Sequence, residues 1–419
     1  MSESTHVDLR RRLISATPAD EAELGVLLRA SGTPIVTDDP DDPDRQRALF
    51  AVSAAEVAGV YVWVNRLTDK RHADAGTMRR VAGTDLWLTE ITVPRSTMAC
   101  YRIYPYTAES PGVIAGDIAY SREVVRGSIV DPNNELAQTG SPFGSVLCGS
   151  DAPDIGIWTG SANSDGIEHF TVDTRGGTRL RCRMSIPTTD TPTDLVLVFD
   201  AEKWFGRLGL PAVLDAAHEQ GLVRSRFTIV GVDSPTSSSE RLAMLGGNRD
   251  ILDAVVEQLL PRVRAALPAS PRRTVVAGQS LGGLAALTIS AWYPEAADEI
   301  LAYSPSVWWR PGLSGRPSEV RTREEWIHKQ IRGAPNPGPR IRLAVGDFEE
   351  ELAPNVADLA TTARDRRSDT TLRVYTGGHD DVWWATLLLD DLADHPVSVS
   401  GESTTDSTDH IPDLIDPIR

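Results

Sequence analysis

Between residues 194 and 378 the chain repeats one rhythm, a short apolar run followed by a stretch of helical character. The runs are DLVLVFD (194–200), RFTIVGVD (226–233), RTVVAG (273–278), EILAYSP (299–305), RIRLAVGD (340–347) and LRVYTGG (372–378). Most of them carry apolar residues at consecutive positions, so they read as strands buried on both faces. Helix-like stretches such as 249–266 and 281–292 lie between several of them. Parallel neighbours need long crossovers, usually helical, and these spacings supply them. The pattern predicts an α/β fold with a mostly parallel sheet covered on both faces.

Upstream that rhythm is absent. GVYVWVNRLTDK (59–70) and DLWLTEITVP (85–94) are β-rich, and in the second Trp87, Thr89, Ile91 and Val93 alternate with Leu88, Glu90 and Thr92. Alternation of this kind suits a half-buried strand. A chain of 419 residues exceeds one average domain, so a smaller β-sandwich domain over 46–155 is expected before an α/β domain over 156–399. Residues 1–45 read as a polar, helical extension ending in an acidic, proline-interrupted loop, SGTPIVTDDPDDPDRQ (31–46). The passage 128–156, rich in Gly, Pro, Ser and Asn, reads as a boundary segment rather than a packed element, with the seam near 155. Residues 400–419 read as a frayed polar tail.

Composition narrows the function. Lys and Arg number 42 against 59 Asp and Glu, a net charge of −17, which argues against nucleic acid or an anionic membrane as a general partner. An anionic small molecule would need arginines close to its pocket. No run approaches the roughly 18 apolar residues of a membrane helix. The N-terminal MSESTHVDLRRRLISATPADEAELG has no apolar segment after its arginines, so a cytoplasmic location is expected. Cys100, Cys148 and Cys182 are odd in number and lack CxxC spacing, which predicts reduced thiols, no disulfide framework and no metal site.

The third apolar run ends in TVVAGQSLGG (274–283), where Gly278 and Gly282 flank Ser280 at a strand-to-helix junction. This is the pattern of a nucleophile elbow. So sharp a turn presses the flanking positions against neighbouring backbone, which calls for glycine, and Gly283 lets the next helix pack close. The hydroxyl is raised beside a helix N-terminus, where N–H groups favour negative charge. A serine hydroxyl needs a base, and in such hydrolases the acid and then the histidine follow it in the chain. Among eight histidines, His379 in YTGGHDD alone follows a late apolar strand through two glycines. His6, His72, His169, His218, His328, His395 and His410 read as surface or structural residues. The acid falls in RLAVGDFEEELAP, where Asp347, Glu349, Glu350 and Glu351 compete. Pattern alone leaves that choice open.

Taken together, RTVVAGQSLGGLAAL, SPSVWW (304–309) and GGHDDVWW (377–384) resemble the enterochelin esterase family of esterase D-like α/β-hydrolases. The likeness extends to YVWVNRLTDK, to MRRVAGTDLWLTEITVP (78–94), to a DPNN hinge motif (131–134) and to LVLVFDAEKW (195–204), covering about residues 55–395. The family's Gly-x-x-Glu falls on Gly346 and Glu349, so the resemblance implies Glu349 as the acid, with Asp347 the alternative. It implies ester hydrolysis through an acyl-enzyme, with an oxyanion hole at the N–H groups of Leu281 and Ala201. No metal or organic cofactor is implied, because iron arrives only within the substrate, an anionic ferric catecholate siderophore with a cyclic ester backbone. Arg241 and Arg310 then become candidates to pair with its oxygens, and Trp204, Trp308, Trp309, Trp383 and Trp384 to stack on its rings. One departure is Met244, which stands where the family carries Glu in an Arg-x-x-Glu-Leu-x-x-Asn segment matched by Arg241, Leu245 and Asn248.

Three functions fit these features. A cytoplasmic siderophore esterase leads. A general carboxylesterase or acyltransferase of the esterase D type would instead favour simple aryl esters. A non-catalytic siderophore- or carbohydrate-binding protein would leave Ser280 unreactive to a fluorophosphonate probe.

Overall fold

The computed structural model describes residues 3–69, 72–110, 122–160, 166–189, 191–315, 326–335, 338–366 and 369–393. The expected tail at 400–419 lies outside them. Among the described residues, seven strands occupy the N-terminal part: β1 (Ile35–Asp39), β2 (Asp42–Ser53), β3 (Gly59–Val64), β4 (Arg79–Arg80), β5 (Leu86–Pro94), β6 (Met98–Tyr106) and β7 (Ser145–Cys148). They form two sheets, ordered β1-β2-β5-β4 and β3-β6-β7. Alternation along β2 explains the layering: Ala48, Phe50 and Val52 face the second sheet, while Leu49 and Ala51 face the other way. That outer face is closed by the helices Glu3–Ile14 and Glu21–Ser31 through Leu9, Leu13, Leu24 and Leu28.

Two segments read as irregular are structured. The acidic stretch 31–46 contains β1 and its turn into β2, because its acids serve as cross-strand partners: Asp39 pairs with Arg47 at 2.8 Å and Asp38 with Arg95 at 2.5 Å. The passage 128–156 contributes β7 to a sheet and folds its DPNN motif inward. Asp131 accepts from the hydroxyls of Thr33 and Tyr101, each at 2.6 Å, and Asn134 donates to the carbonyls of Thr33 and Val146 at 2.8 and 3.1 Å. Side chains satisfy the backbone groups that a poor strand sequence leaves over.

The second part supplies β8 (Ile167–Asp173), β9 (Arg179–Ser185), β10 (Asp194–Phe199), β11 (Phe227–Val232), β12 (Thr274–Gln279), β13 (Glu299–Tyr303), β14 (Arg340–Gly346) and β15 (Thr370–Tyr375). Their order is β15-β14-β13-β12-β10-β11-β9-β8. The strands from β15 to β11 are parallel, as their apolar runs predict, and the hairpin β8–β9 adds an antiparallel edge. That hairpin has a half-wet pattern, with buried Leu180, Cys182 and Met184 alternating with arginines. The expected helix 249–266 is interrupted by a wide turn at Val255–Leu259, next to Pro261, which has no N–H to give the ordinary ladder.

Helices cover both faces of the large sheet. On one face the N-terminal part joins the core: Met98, Phe143, Val146 and Trp158 pack with Trp383, Trp384 and Leu388 of the helix Asp381–Leu392. Among the described residues no helix is long and apolar enough to cross a membrane. The three cysteines are unpaired.

Candidate active site

Ser280 follows β12 directly and precedes the helix Leu281–Trp292. Its backbone lies at φ 55°, ψ −120°, a strained conformation that residues with a Cβ seldom adopt. Close approach explains the glycines. A Cβ on Gly278 would stand 2.2 Å from the Gly282 carbonyl oxygen, and one on Gly283 3.2 Å from Pro305. The helix is thereby drawn against the strand, leaving the Leu281 N–H in the first turn. Ser280 Oγ is 3.3 Å from Ser306 Oγ; among the described residues it forms no hydrogen bond to the His379 ring. Such bonds are often long before substrate arrives.

His379 and Glu349 are brought together. Nδ1 of the ring is 2.6 Å from Glu349 Oε2, and the edge of the ring meets the Trp384 indole at 90° with centroids 4.7 Å apart. The carboxylate is 2% exposed. Its other oxygen accepts from the Ser304 hydroxyl and, at 3.3 Å, from the Gly346 N–H. Burial alone would raise this carboxyl. The charge and hydrogen bond of His379, followed by the Ser304 hydroxyl and the charge of Arg66, outweigh it and hold Glu349 below its ordinary value. Asp347 is turned away, accepting from Gly377 N–H at 2.9 Å. Desolvation pushes it up to about 6. Glu350 is exposed, and Glu351 lies in the turn before the helix Ala353–Arg364.

The loop after β10 is fixed from below. Asp200 sits at φ 59° and receives both Nε and Nη2 of Arg241 at 2.6 and 2.7 Å. Gln279, the residue before the serine, donates to Asp200 at 3.1 Å and accepts from Trp204 Nε1 at 3.2 Å. The elbow and the Asp200–Ala201 turn are therefore one bonded unit, and Ala201 is buried against Gly231.

Several ligand-facing expectations are corrected here. Arg241 holds the buried Asp200 carboxylate rather than standing open, because that charge would otherwise lack a counterion. Trp204 and Trp383 are each 2% exposed, so neither offers a ring face to a ligand. Trp383 stacks on Tyr375 and donates Nε1 to the Met98 carbonyl at 2.8 Å. Trp308 and Trp309 are buried in the core, Trp309 edge-on to Trp326 and seated over Gly246 and Gly247. Trp384 donates Nε1 to Ser304 Oγ at 3.1 Å. Arg310 is exposed. The sequence reading missed Ser304, which gathers Glu349, Tyr375 and Trp384 about one hydroxyl, and Asn65, whose amide donates to the His379 carbonyl at 2.8 Å. Both lie inside quoted motifs, but nothing in spacing sets them apart.

Comparison with known proteins finds one family match in each part of the chain. The family model described as "Putative esterase" matches residues 177–395, and that of the enterochelin esterase N-terminal domain matches 45–158. Iron(III) salmochelin esterase of Escherichia coli O6:H1 is 32% identical over 400 residues, spanning 92% of this chain and 96% of that protein. Iron(III) enterobactin esterase of Escherichia coli K12 is 26% identical, spanning 80% and 86%. Ferric enterobactin esterase from Salmonella typhimurium superposes with a TM-score of 0.71 over 87% of this chain and 97% of that one, at 23% identity. The Shigella flexneri enterobactin esterase solved in the presence of enterobactin gives 0.68 over 84% and 94%, also at 23%. At such identities the structures speak for the fold: an α/β-hydrolase sheet preceded by a smaller sandwich. With the esterase model spanning more than half of the sequence and a relative alike over nearly its whole length, this chain belongs to the esterase family and carries an enterochelin esterase N-terminal domain.

Proposed function

We propose that this protein is a serine esterase that hydrolyses the ester backbone of a ferric catecholate siderophore and so releases iron in the cytoplasm. The observation that carries the reading is likeness to iron(III) salmochelin esterase across 92% of the chain, both domains included. Ser280 is the nucleophile. Glu349 keeps the proton of His379 on Nδ1, which leaves Nε2 to take the Ser280 proton and return it to the leaving alcohol. The tetrahedral oxyanion is met by the N–H groups of Leu281 and Ala201, and each such donor contributes roughly 3 to 4 kcal/mol. Water then attacks the acyl-enzyme, with His379 as base again. These steps need no resident metal or cofactor, and the iron is cargo.

The test is chromatography of the products from ferric and iron-free enterobactin, with and without glucosylation, incubated with wild type and Ser280→Ala. Linear fragments from wild type and none from the variant are expected. Equal product patterns from the two proteins would overturn the assignment. Turnover of aryl esters alone would point to a general carboxylesterase.

A further inference from the structure

The turn after β3 belongs to the N-terminal sheets, yet it rests on the loop that carries His379. Its own domain holds it: Asn65 N–H donates to the Cys100 carbonyl at 3.2 Å, and the N–H groups of Leu67 and Thr68 return to the Val64 carbonyl at 3.1 Å. Across the seam Asn65 Nδ2 donates to the His379 carbonyl. Arg66 therefore has little freedom in where it stands. It adopts φ 63°, a left-handed conformation that is uncommon for an arginine. Its stem crosses Gly378 so closely that a Cβ there would lie 2.5 Å from Arg66 Cγ. Its charge reaches the buried Glu349 carboxyl.

Among the described residues no carboxylate pairs with Arg66. Arg241 is committed to Asp200, and Lys203 and Arg207 to Asp381, while Arg310 stands exposed. Asp381 is correspondingly held low, despite burial, by those two partners. A half-buried arginine on the wall of the His379 loop, with no ion-pair partner among the described residues, is placed to receive an anion from outside. A chain of net charge −17 has particular need of one.

We propose that Arg66 is an anion-binding specificity residue of the active site, contributed by the N-terminal domain, which takes the catecholate oxygens of the iron-loaded substrate. This deepens the siderophore esterase reading and rests on it. Planar, multidentate donation makes arginine suited to paired oxygens, and lysine reproduces only the charge. The iron-free triester, its catechols largely protonated near neutral pH, and an uncharged aryl ester present no such anion.

The experiment compares wild type, Arg66→Ala, Arg66→Lys and the exposed Arg102→Ala as a control for net charge, on ferric enterobactin, iron-free enterobactin and an aryl acetate. For Arg66→Ala, kcat/KM on the ferric substrate is expected to fall at least about tenfold, chiefly through KM. The two uncharged substrates should change less than about threefold, with Arg66→Lys intermediate and Arg102→Ala unchanged. In Arg66→Ala the loss of rate with added salt should flatten. An equal loss on all three substrates would make the turn merely structural and overturn the proposal, as would an unaltered KM for the ferric complex. Should wild type turn over no siderophore at all, the esterase reading fails separately. Tryptophan quenching by ferric enterobactin in Ser280→Ala, with and without Arg66→Ala, then decides the role of Arg66: weaker binding supports it and equal binding refutes it.

Discussion

Replacing Glu349 by Gln removes one charge from a site built to hold it. The carboxylate accepts Ser304 and Gly346 donors on Oε1 and faces His379 Nδ1 through Oε2 at 2.6 Å. In Glu349→Gln the amide oxygen must stay with the Ser304 and Gly346 donors, which turns the NH2 group toward the imidazole. Nδ1 then becomes an acceptor, and the ring proton moves to Nε2, the nitrogen that should take the Ser280 proton. The imidazolium formed in the transition state also loses its partner in a site of low dielectric. Together these effects should lower kcat by about 10² to 10⁴, roughly 3 to 5 kcal/mol, with KM little changed. Asp347→Asn should stay within about threefold, because Asn Oδ1 still accepts from Gly377 N–H. Stability carries a matching signature. Since the folded Glu349 titrates below its unfolded counterpart, its contribution is complete above about pH 4.3 and is lost as pH falls through the lower, folded value. The fall in melting temperature of wild type over that window should be less steep in Glu349→Gln. Steady-state hydrolysis of an aryl ester, with circular dichroism to confirm folding, is the assay. A folded Glu349→Gln within fivefold of wild type, or an Asp347→Asn that loses as much, would refute this assignment of the acid.

Other substitutions follow from the same geometry. Arg241→Ala leaves the Asp200 carboxylate, 2% exposed, without its counterion, and should cost about 3 to 5 kcal/mol in urea unfolding. Unchanged stability with a raised KM for the ferric substrate alone would return Arg241 to ligand binding. Asn65→Asp sets an acceptor against the His379 carbonyl and should lower kcat about 10- to 100-fold. Asn65→Ala should lose less, and an intact kcat in both would deny the turn a positioning role. Gly278→Ala forces a Cβ to within 2.2 Å of the Gly282 carbonyl oxygen. Because both atoms are tied to backbone, we expect a loss of about 3 kcal/mol or more in thermal unfolding and no labelling of Ser280 by a fluorophosphonate.

What the sequence made legible was what local chemistry dictates. Consecutive apolar residues in β10 to β13 admit little besides buried parallel strands, and the glycines around Ser280 admit little besides a tight junction. The hairpin β8–β9 and strand β1 were obscured because polar side chains line one face, where Arg47 and Asp39 satisfy each other across strands. No local pattern announces that pairing. The tryptophans misled for a different reason. Trp204, Trp308, Trp309 and Trp383 stand next to elbow and loop motifs in sequence, yet each carries an indole large enough to serve as the core beneath those loops. Adjacency along the chain cannot separate a ring under a site from a ring within it. Glu349 was singled out by resemblance, whereas physically it is chosen because Gly346 and Ser304 turn their donors toward it.

The two glycines before His379 connect these threads. A Cβ on Gly377 would stand 2.2 Å from Trp383 Nε1 and 3.1 Å from the Met98 carbonyl; one on Gly378 would stand 2.5 Å from both Asn65 Oδ1 and Arg66 Cγ. Gly378 therefore makes room for the other domain, and Gly377 for Trp383 and the Met98 carbonyl that it bonds. Across this gap Met98 N–H reaches the Thr376 carbonyl, Ser96 Oγ the Thr376 hydroxyl, Cys100 N–H the Asp380 carboxyl and Asn65 the His379 carbonyl, while Trp383 bonds back to Met98. A histidine on a loop joined only to β15 would be free to wander, and a misplacement near 1 Å is enough to cost about 10² in rate. The N-terminal sandwich thus does more than sit in front of a hydrolase: it forms one wall of the loop that carries His379.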